Sequence, residues 1–371
     1  MKKLLLSAAL CGLALVTISA VTSTNEPLTK DFILGNPEIA SINQLGFGPE
    51  GILFLGDSKN AAIYALDVGD AKPLPGAEEV RMGDFDTKIA SALGTTVDQI
   101  KINDMAVNPL SKKIYFAVTA MNGTPVLLRL DGERIENVAL DNLKYSKMVL
   151  KNAIEKDAKD GRDRPLRVWA ISDLQYHDGQ VLVSGLSNKE FGSTFRSIPF
   201  PFEDGQDYAS LEIYHAAHGQ YETNSPIKTF NVIQMDGKDY LIASYTCTPL
   251  VLFPMADLKA GTHNKGRTVA ELGSGNSPLD MISYEREGKS YFLMSNSNRP
   301  VMKIAYGDIS SSKESLTEPV AEWAVTKGVD YVSLPMVNIL QMDNMGTDKV
   351  VYLQRTSDGE MVLMSRGTNR M

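Results

Sequence analysis

Six segments built to one pattern recur along the chain, and within each the apolar residues alternate with a period of two between Gly, Asn, Asp or Pro turns. Alternation of that kind marks consecutive antiparallel strands. Its recurrence at roughly blade-sized spacing marks a propeller. The sequence therefore predicts an all-β fold, a six-bladed β-propeller. Seven blades is the alternative if the longest interval hides a weak repeat.

The repeats span 42–66, 102–130, 171–198, 230–253, 279–304 and 337–364. Each first strand carries one polar residue: Gln44, Asp104, Asp173, Asn231, Asp280 and Asn338. Every gap between successive members is the length of one blade. The segment after Asn338, joined to the segment from Thr24 to Gln44, makes one more such interval, so the ring can close. A fourth, outer strand is expected after most repeats, in EEVRMGDF (78–85), ERIENVAL (133–140), SLEIYHAA (210–217), RTVAELG (267–273) and PVAEWAV (319–325). The last repeat lacks one. FILG (32–35) near the N-terminus is its substitute, which would close the ring with both termini in one blade and hide the sheet edges. Two helical insertions are expected on one face, 145–160 before Gly161 and Pro165, and 86–94 with Asp86 as N-cap.

Residues 1–20, with Lys2 and Lys3, an apolar run and small residues up to Ala20, read as a secretory signal peptide, cleaved after Ala20 or Ser23. Leu10 before Cys11 is too large for a lipid-attachment box. Residues 21–371 are then a single propeller domain, exported to the periplasm or secreted. No later stretch is long and apolar enough to span a bilayer. Without Lys2 and Lys3 the formal charge of −8 becomes −10, which repels phosphate backbones and speaks against a nucleic-acid partner. With Cys11 removed, Cys247 has no partner in its own chain: a buried inert thiol, a metal ligand or a covalent attachment point.

The stretch 210–250 concentrates the chemistry. It holds His215 and His218, two of the four histidines, with Glu222 and Cys247. Three residues apart on one strand, the imidazoles would face opposite ways. They meet only if the strand ends between them, which Gly219 permits. Imidazole with thiolate suits copper or zinc, and Glu222 adds an oxygen ligand or a base. Tyr214, Tyr221 and Tyr245 lie near in sequence. In this they resemble the secreted propellers that oxidise alcohols with copper, histidines and a tyrosine cross-linked to cysteine. That resemblance makes Tyr221 a candidate catalytic group, beside Glu222 as the candidate base.

The first-strand residues form a second candidate. Polar side chains converging on one axis need partners, and calcium or ordered water would supply them. In Asp104, Asn231, Asp280 and Asn338 the register resembles the six-bladed gluconolactonase and paraoxonase propellers, calcium-dependent hydrolases. The resemblance implies a calcium at the channel mouth, with Asp173 completing the ring. Those families usually place a glutamate on the first blade, where this chain has Gln44. Lys189, Arg196, Asn296, Asn298 and Arg299, in or beside loops, could hold an anionic ligand. His177 and His263 read as turn and loop residues, and Trp169 and Trp323 as packing between blades.

The reading is an exported propeller metalloprotein with copper or zinc on its loop face, an oxidoreductase if it is an enzyme. The alternatives are a calcium-dependent lactonase- or esterase-like hydrolase using the channel ring, or a non-catalytic propeller that binds a small molecule or a protein on its loops.

Overall fold

Each repeat becomes a sheet. The computed structural model describes residues 26–203 and 206–371. The expected signal peptide, its expected cleavage sites and Cys11 lie outside them. Six sheets, antiparallel but for one short parallel pairing at Ala209–His215, surround one channel. Its lining comes from the first strands: Gln44–Phe47, Ile100–Val107, Asp173–His177, Ile227–Met235, Pro278–Arg286 and Ile339–Asn344. Second strands such as Leu53–Asp57 are buried residue by residue, because a blade is covered on both faces by its neighbours. Among the described residues no helix is long and apolar enough to cross a membrane.

The core falls into six apolar clusters, and each is the seam between two blades. Phe54 and Ile63 meet Ile171 and Val183 between the first and third repeats. Leu55 and Tyr64 meet Tyr115 and Leu127 between the first and second. Phe116 and Leu128 meet Val351 and Leu353 between the second and the last. The spatial order around the channel is therefore first, third, fourth, fifth, sixth, second. Each fully buried Leu, Ile or Phe in these seams contributes roughly 1.5–3 kcal/mol.

This order corrects the expected closure. EEVRMGDF does not complete the first blade: Arg81–Met82 pairs with Met361–Gly367 as the fourth strand of the last blade. The chain then forms the second blade between the last and the first. Only afterwards does Leu143–Val149 return to pair with Ala62–Asp67 as the first blade's fourth strand. Ile33–Gly35, expected to serve the last repeat, adds a fifth strand outside Leu143–Val149.

Residues 145–160 are accordingly not a helix. Their start is strand, and residues 150–166 run irregularly across the loop face. Their apolar spacing suits a helical face, but the open edge of Ala62–Asp67 needs hydrogen-bond partners, and that demand prevails. The shorter insertion is helical at Phe85–Ala92, with Asp84 rather than Asp86 at its N-cap. PVAEWAV is also not a strand. It belongs to a strap, residues 312–331, that climbs the outside of the fourth blade, and the fifth blade ends instead on Val332–Ser333. The outer strands Arg134–Asn137, Ala209–His215 and Arg267–Glu271 stand where expected.

Candidate metal centre on the loop face

The outer strand of the third blade ends at His215 and turns back through residues 216–219 into Gln220–Glu222. The His218 N–H donates to the His215 carbonyl (3.1 Å), and Gly219 closes the turn at φ 64°. A Cβ there would also meet Pro319 at 3.3 Å. Both imidazoles thus come off one hairpin end and face Glu222. His215 Nδ1 is 3.0 Å from Glu222 Oε2, and His218 Nδ1 is 2.6 Å from Oε1. The Ser225 hydroxyl also donates to Oε2. The two rings lie 3.8 Å apart, centre to centre, with planes at 38°. One donor atom from each of His215, His218 and Glu222 falls within 4.8 Å of the others.

Burial divides the trio. His215 is 1% exposed, whereas His218 stands at the surface. The His215 Nε2 is buried without a hydrogen-bond partner. Burial opposes the Glu222 charge, but hydrogen bonds from His215, Ser225 and His218 hold its carboxyl well below the usual range.

Cys247 lies on the adjacent loop of the fourth blade, exposed and outside the three-residue group. The Thr246 N–H donates to the Pro226 carbonyl, which brings this loop beside Ser225. Burial, then the charges of Glu222 and Glu271, push the thiol up. Cys247 and Thr248 adopt consecutive left-handed conformations, φ 70° and 83°. For a β-branched residue that is strained. Glu271, fully buried, holds the arrangement: it accepts the Thr248 hydroxyl (2.7 Å) and the Ala217 N–H (3.2 Å). The strap adds a third tie through the Val320 N–H to the Ala216 carbonyl (2.9 Å).

Tyr221 is exposed, edge-on to Tyr214, with Lys265 Nζ 3.4 Å from its ring centre. It points along the outer strand rather than toward Glu222, its neighbour in an alternating strand. Tyr245 is fully buried.

The channel, about 290 Å³, is ringed by aspartates. Each fastens its own strand to the next one around the ring. Asp104 accepts the N–H groups of Met105 (2.8 Å) and Leu45 (2.7 Å), and Asp173 those of Leu174 (2.8 Å) and Phe230 (2.9 Å). Asp280 takes Met281 (2.7 Å) and Met342 (2.6 Å), and Asp343 takes Asn344 (2.7 Å) and Val107 (2.6 Å). The last blade's member is thus Asp343. Asn338 sits exposed before its strand, at φ 57°. Asn231 and Gln44 line the channel, and Asn231 accepts from Gln175 (3.3 Å). Burial, backed by mutual repulsion, pushes Asp173 and Asp343 up to about 7 and Asp104 well above its usual range, and burial alone takes Asp280 to about 6. Among the described residues no three of these carboxylates converge within 4.8 Å.

The remaining candidates are mostly structural in placement. Arg196 is not at a loop surface: it is 2% exposed, stacked on Tyr208 (4.5 Å) and bonded to the Lys151 carbonyl (2.7 Å). Asn296 is buried and braces the Met294 and Pro300 carbonyls. Arg299 reaches the Ala324 carbonyl and Asn298 the Gly275 carbonyl, and Lys189 is exposed. His177 faces Asp239 (3.5 Å). Trp323, expected between blades, is 77% exposed because the strap carries it over Gly275 on the surface. Glu271, Ser225 and Asp343 were missed. Only Asp343 had a signal, in LQMDN, the one Asp within the last repeat's first strand.

No family model matches the chain, and no curated protein matches it. Among solved structures it is similar to Drosophila Plexin A in complex with Semaphorin 1b, at 12% identity and TM-score 0.37, over 90% of this chain and 86% of that one. It is also similar to the putative oxidoreductase (glucose dehydrogenase) of Thermus thermophilus, at 12% identity and TM-score 0.33, over 90% and 100%. A third is the GH43 endo-arabinanase of Bacillus licheniformis, at 12% identity and TM-score 0.35, over 69% and 89%. A likeness at this level carries no functional weight.

Proposed function

We propose that this chain is an exported metal-binding propeller whose centre, on the loop face, is built on His215, His218 and Glu222 and takes copper or zinc. One observation carries the reading: two imidazoles and a carboxylate converge within 4.8 Å at the end of a single hairpin. Imidazole donors favour copper and zinc over calcium and magnesium, and the neighbouring Cys247 loop offers a soft donor to the same ions. The strained Cys247–Thr248 backbone, held by a buried carboxylate, supports it, because strain of this kind collects at functional loops. Copper there would supply oxidoreductase chemistry, and zinc a Lewis acid.

The test is metal analysis of the mature chain, purified with and without chelator and then given one equivalent of zinc or copper. One ion per chain, lost in His215→Ala and His218→Ala, is the expected result. A folded protein that retains no ion above a histidine-free control overturns it.

A further inference from the structure

Glu222 stands too close to both imidazoles to share a metal with them as they are placed. Two ligands of a tetrahedral zinc, each about 2.0–2.2 Å from the ion, are separated by roughly 3.3–3.5 Å. The His215 Nδ1–Oε2 and His218 Nδ1–Oε1 distances are 3.0 and 2.6 Å. Those are lengths of charge-assisted N–H···O bonds, with a proton between the atoms. Both carboxylate oxygens are engaged in this way, and Oε2 receives the Ser225 hydroxyl in addition.

A carboxylate that accepts from Nδ1–H selects the tautomer whose lone pair is on Nε2. In His215 that atom is buried and has no partner, in a side chain 1% exposed. Buried polar atoms in folded proteins are almost always satisfied, so this ring nitrogen has a lone pair free for an ion or an ordered water. Metal-binding histidines commonly show this pattern: one nitrogen on the ion, the other donating to a carboxylate.

We propose that His215 and His218 bind the ion through Nε2, and that Glu222 lies outside the coordination sphere as the shared acceptor that orients both rings. The proposal rests on the metal reading above and changes its chemistry. The protein supplies two neutral imidazoles and no charge to the ion. That donor set suits a soft or borderline cation, cuprous or zinc, and leaves positions open for Cys247, solvent or a substrate donor. Glu222, with both oxygens committed, is a positioning residue and not a free general base.

The test is long-range ¹H–¹⁵N correlation of the imidazoles in the full mature chain, metal-free and then with one equivalent of zinc. The expected spectra show both rings protonated at Nδ1 throughout, with zinc moving the Nε2 resonances. In parallel, Glu222→Gln should keep one zinc per chain with affinity weakened about 10–100-fold, whereas His215→Ala removes it. Loss of the Nδ1 protons on zinc addition overturns the inference and leaves the metal reading standing. So does a folded Glu222→Gln that binds no better than His215→Ala. If zinc moves neither ring, the metal reading itself fails, and this proposal with it.

Discussion

The Thr248 hydroxyl donates to the fully buried carboxylate of Glu271 at 2.7 Å, and the other Glu271 oxygen accepts the Ala217 N–H at 3.2 Å. One side chain thus joins the loop that carries Cys247 to the turn that carries both imidazoles, although the two come from different blades. Thr248→Val removes a donor and leaves a buried oxygen unpaired, for about 1–3 kcal/mol of destabilisation. The expected result is a lower melting temperature with the His215–Glu222 pair intact; unchanged melting would show that Glu271 does not hold the loop.

Cys247 is held at φ 70°, a conformation that glycine adopts without strain. Cys247→Gly should therefore raise stability by roughly 1 kcal/mol. It should also weaken copper binding if the thiol assists the ion. Thermal melting checks the first effect and a copper titration the second. A variant that melts lower than the parent contradicts the strain reading.

The aspartate ring sets a pH dependence of defined sign. The native carboxyls titrate near 6 to 7 for Asp280, Asp173 and Asp343, and Asp104 well above its usual range. Unfolded aspartates titrate at about 3.9. Between those values the native state binds more protons, so this contribution to stability is complete below about pH 4 and is lost as pH rises through 6 to 7. Glu222 runs the other way: its depressed pKa contributes stability above the ordinary glutamate range and loses it on acidification. Melting followed from about pH 5 to pH 8 should fall, and Asp104→Asn should flatten the slope. A rise over that window would contradict the assignment.

The blade order has its own test. Met82 is 9% exposed in the seam between the second and last blades, whereas Leu34 is 67% exposed on the added outer strand. Met82→Ala should destabilise by about 2–5 kcal/mol. Leu34→Ala should stay within about 0.5 kcal/mol. Denaturant unfolding of the two variants measures both, and the reverse ranking would return closure to the N-terminal strand.

Much of this fold was legible in the sequence because short apolar runs bounded by turn residues record burial directly: Leu53–Asp57 and Lys238–Tyr245 are too short for core helices and read as strands covered on both faces. Which edge a fourth strand joins is not recorded locally. EEVRMGDF finds its partner at the far end of the chain, and residues 145–149 look helical until the unpaired edge of Ala62–Asp67 is known. At the site, His215, His218 and Glu222 were legible from spacing and a turn glycine. Glu271 was not, since nothing in RTVAE distinguishes a buried linking carboxylate from a solvated one. Asn338 misled because it aligns by interval, whereas Asp343 holds its place by geometry, bonding Val107 across the seam.

The late return of Leu143–Val149 to the first blade has a consequence for how the molecule is made. A ring whose ends merely meet can be assembled petal by petal as the chain emerges. Here the opening petal stays one strand short until its neighbour has been synthesised, and Arg81–Met82 waits for Met361–Gly367, the last strand of all. Synthesis and folding are thus out of step: the nascent chain carries an unfinished edge until Met361–Gly367 emerges, and that strand latches the wheel.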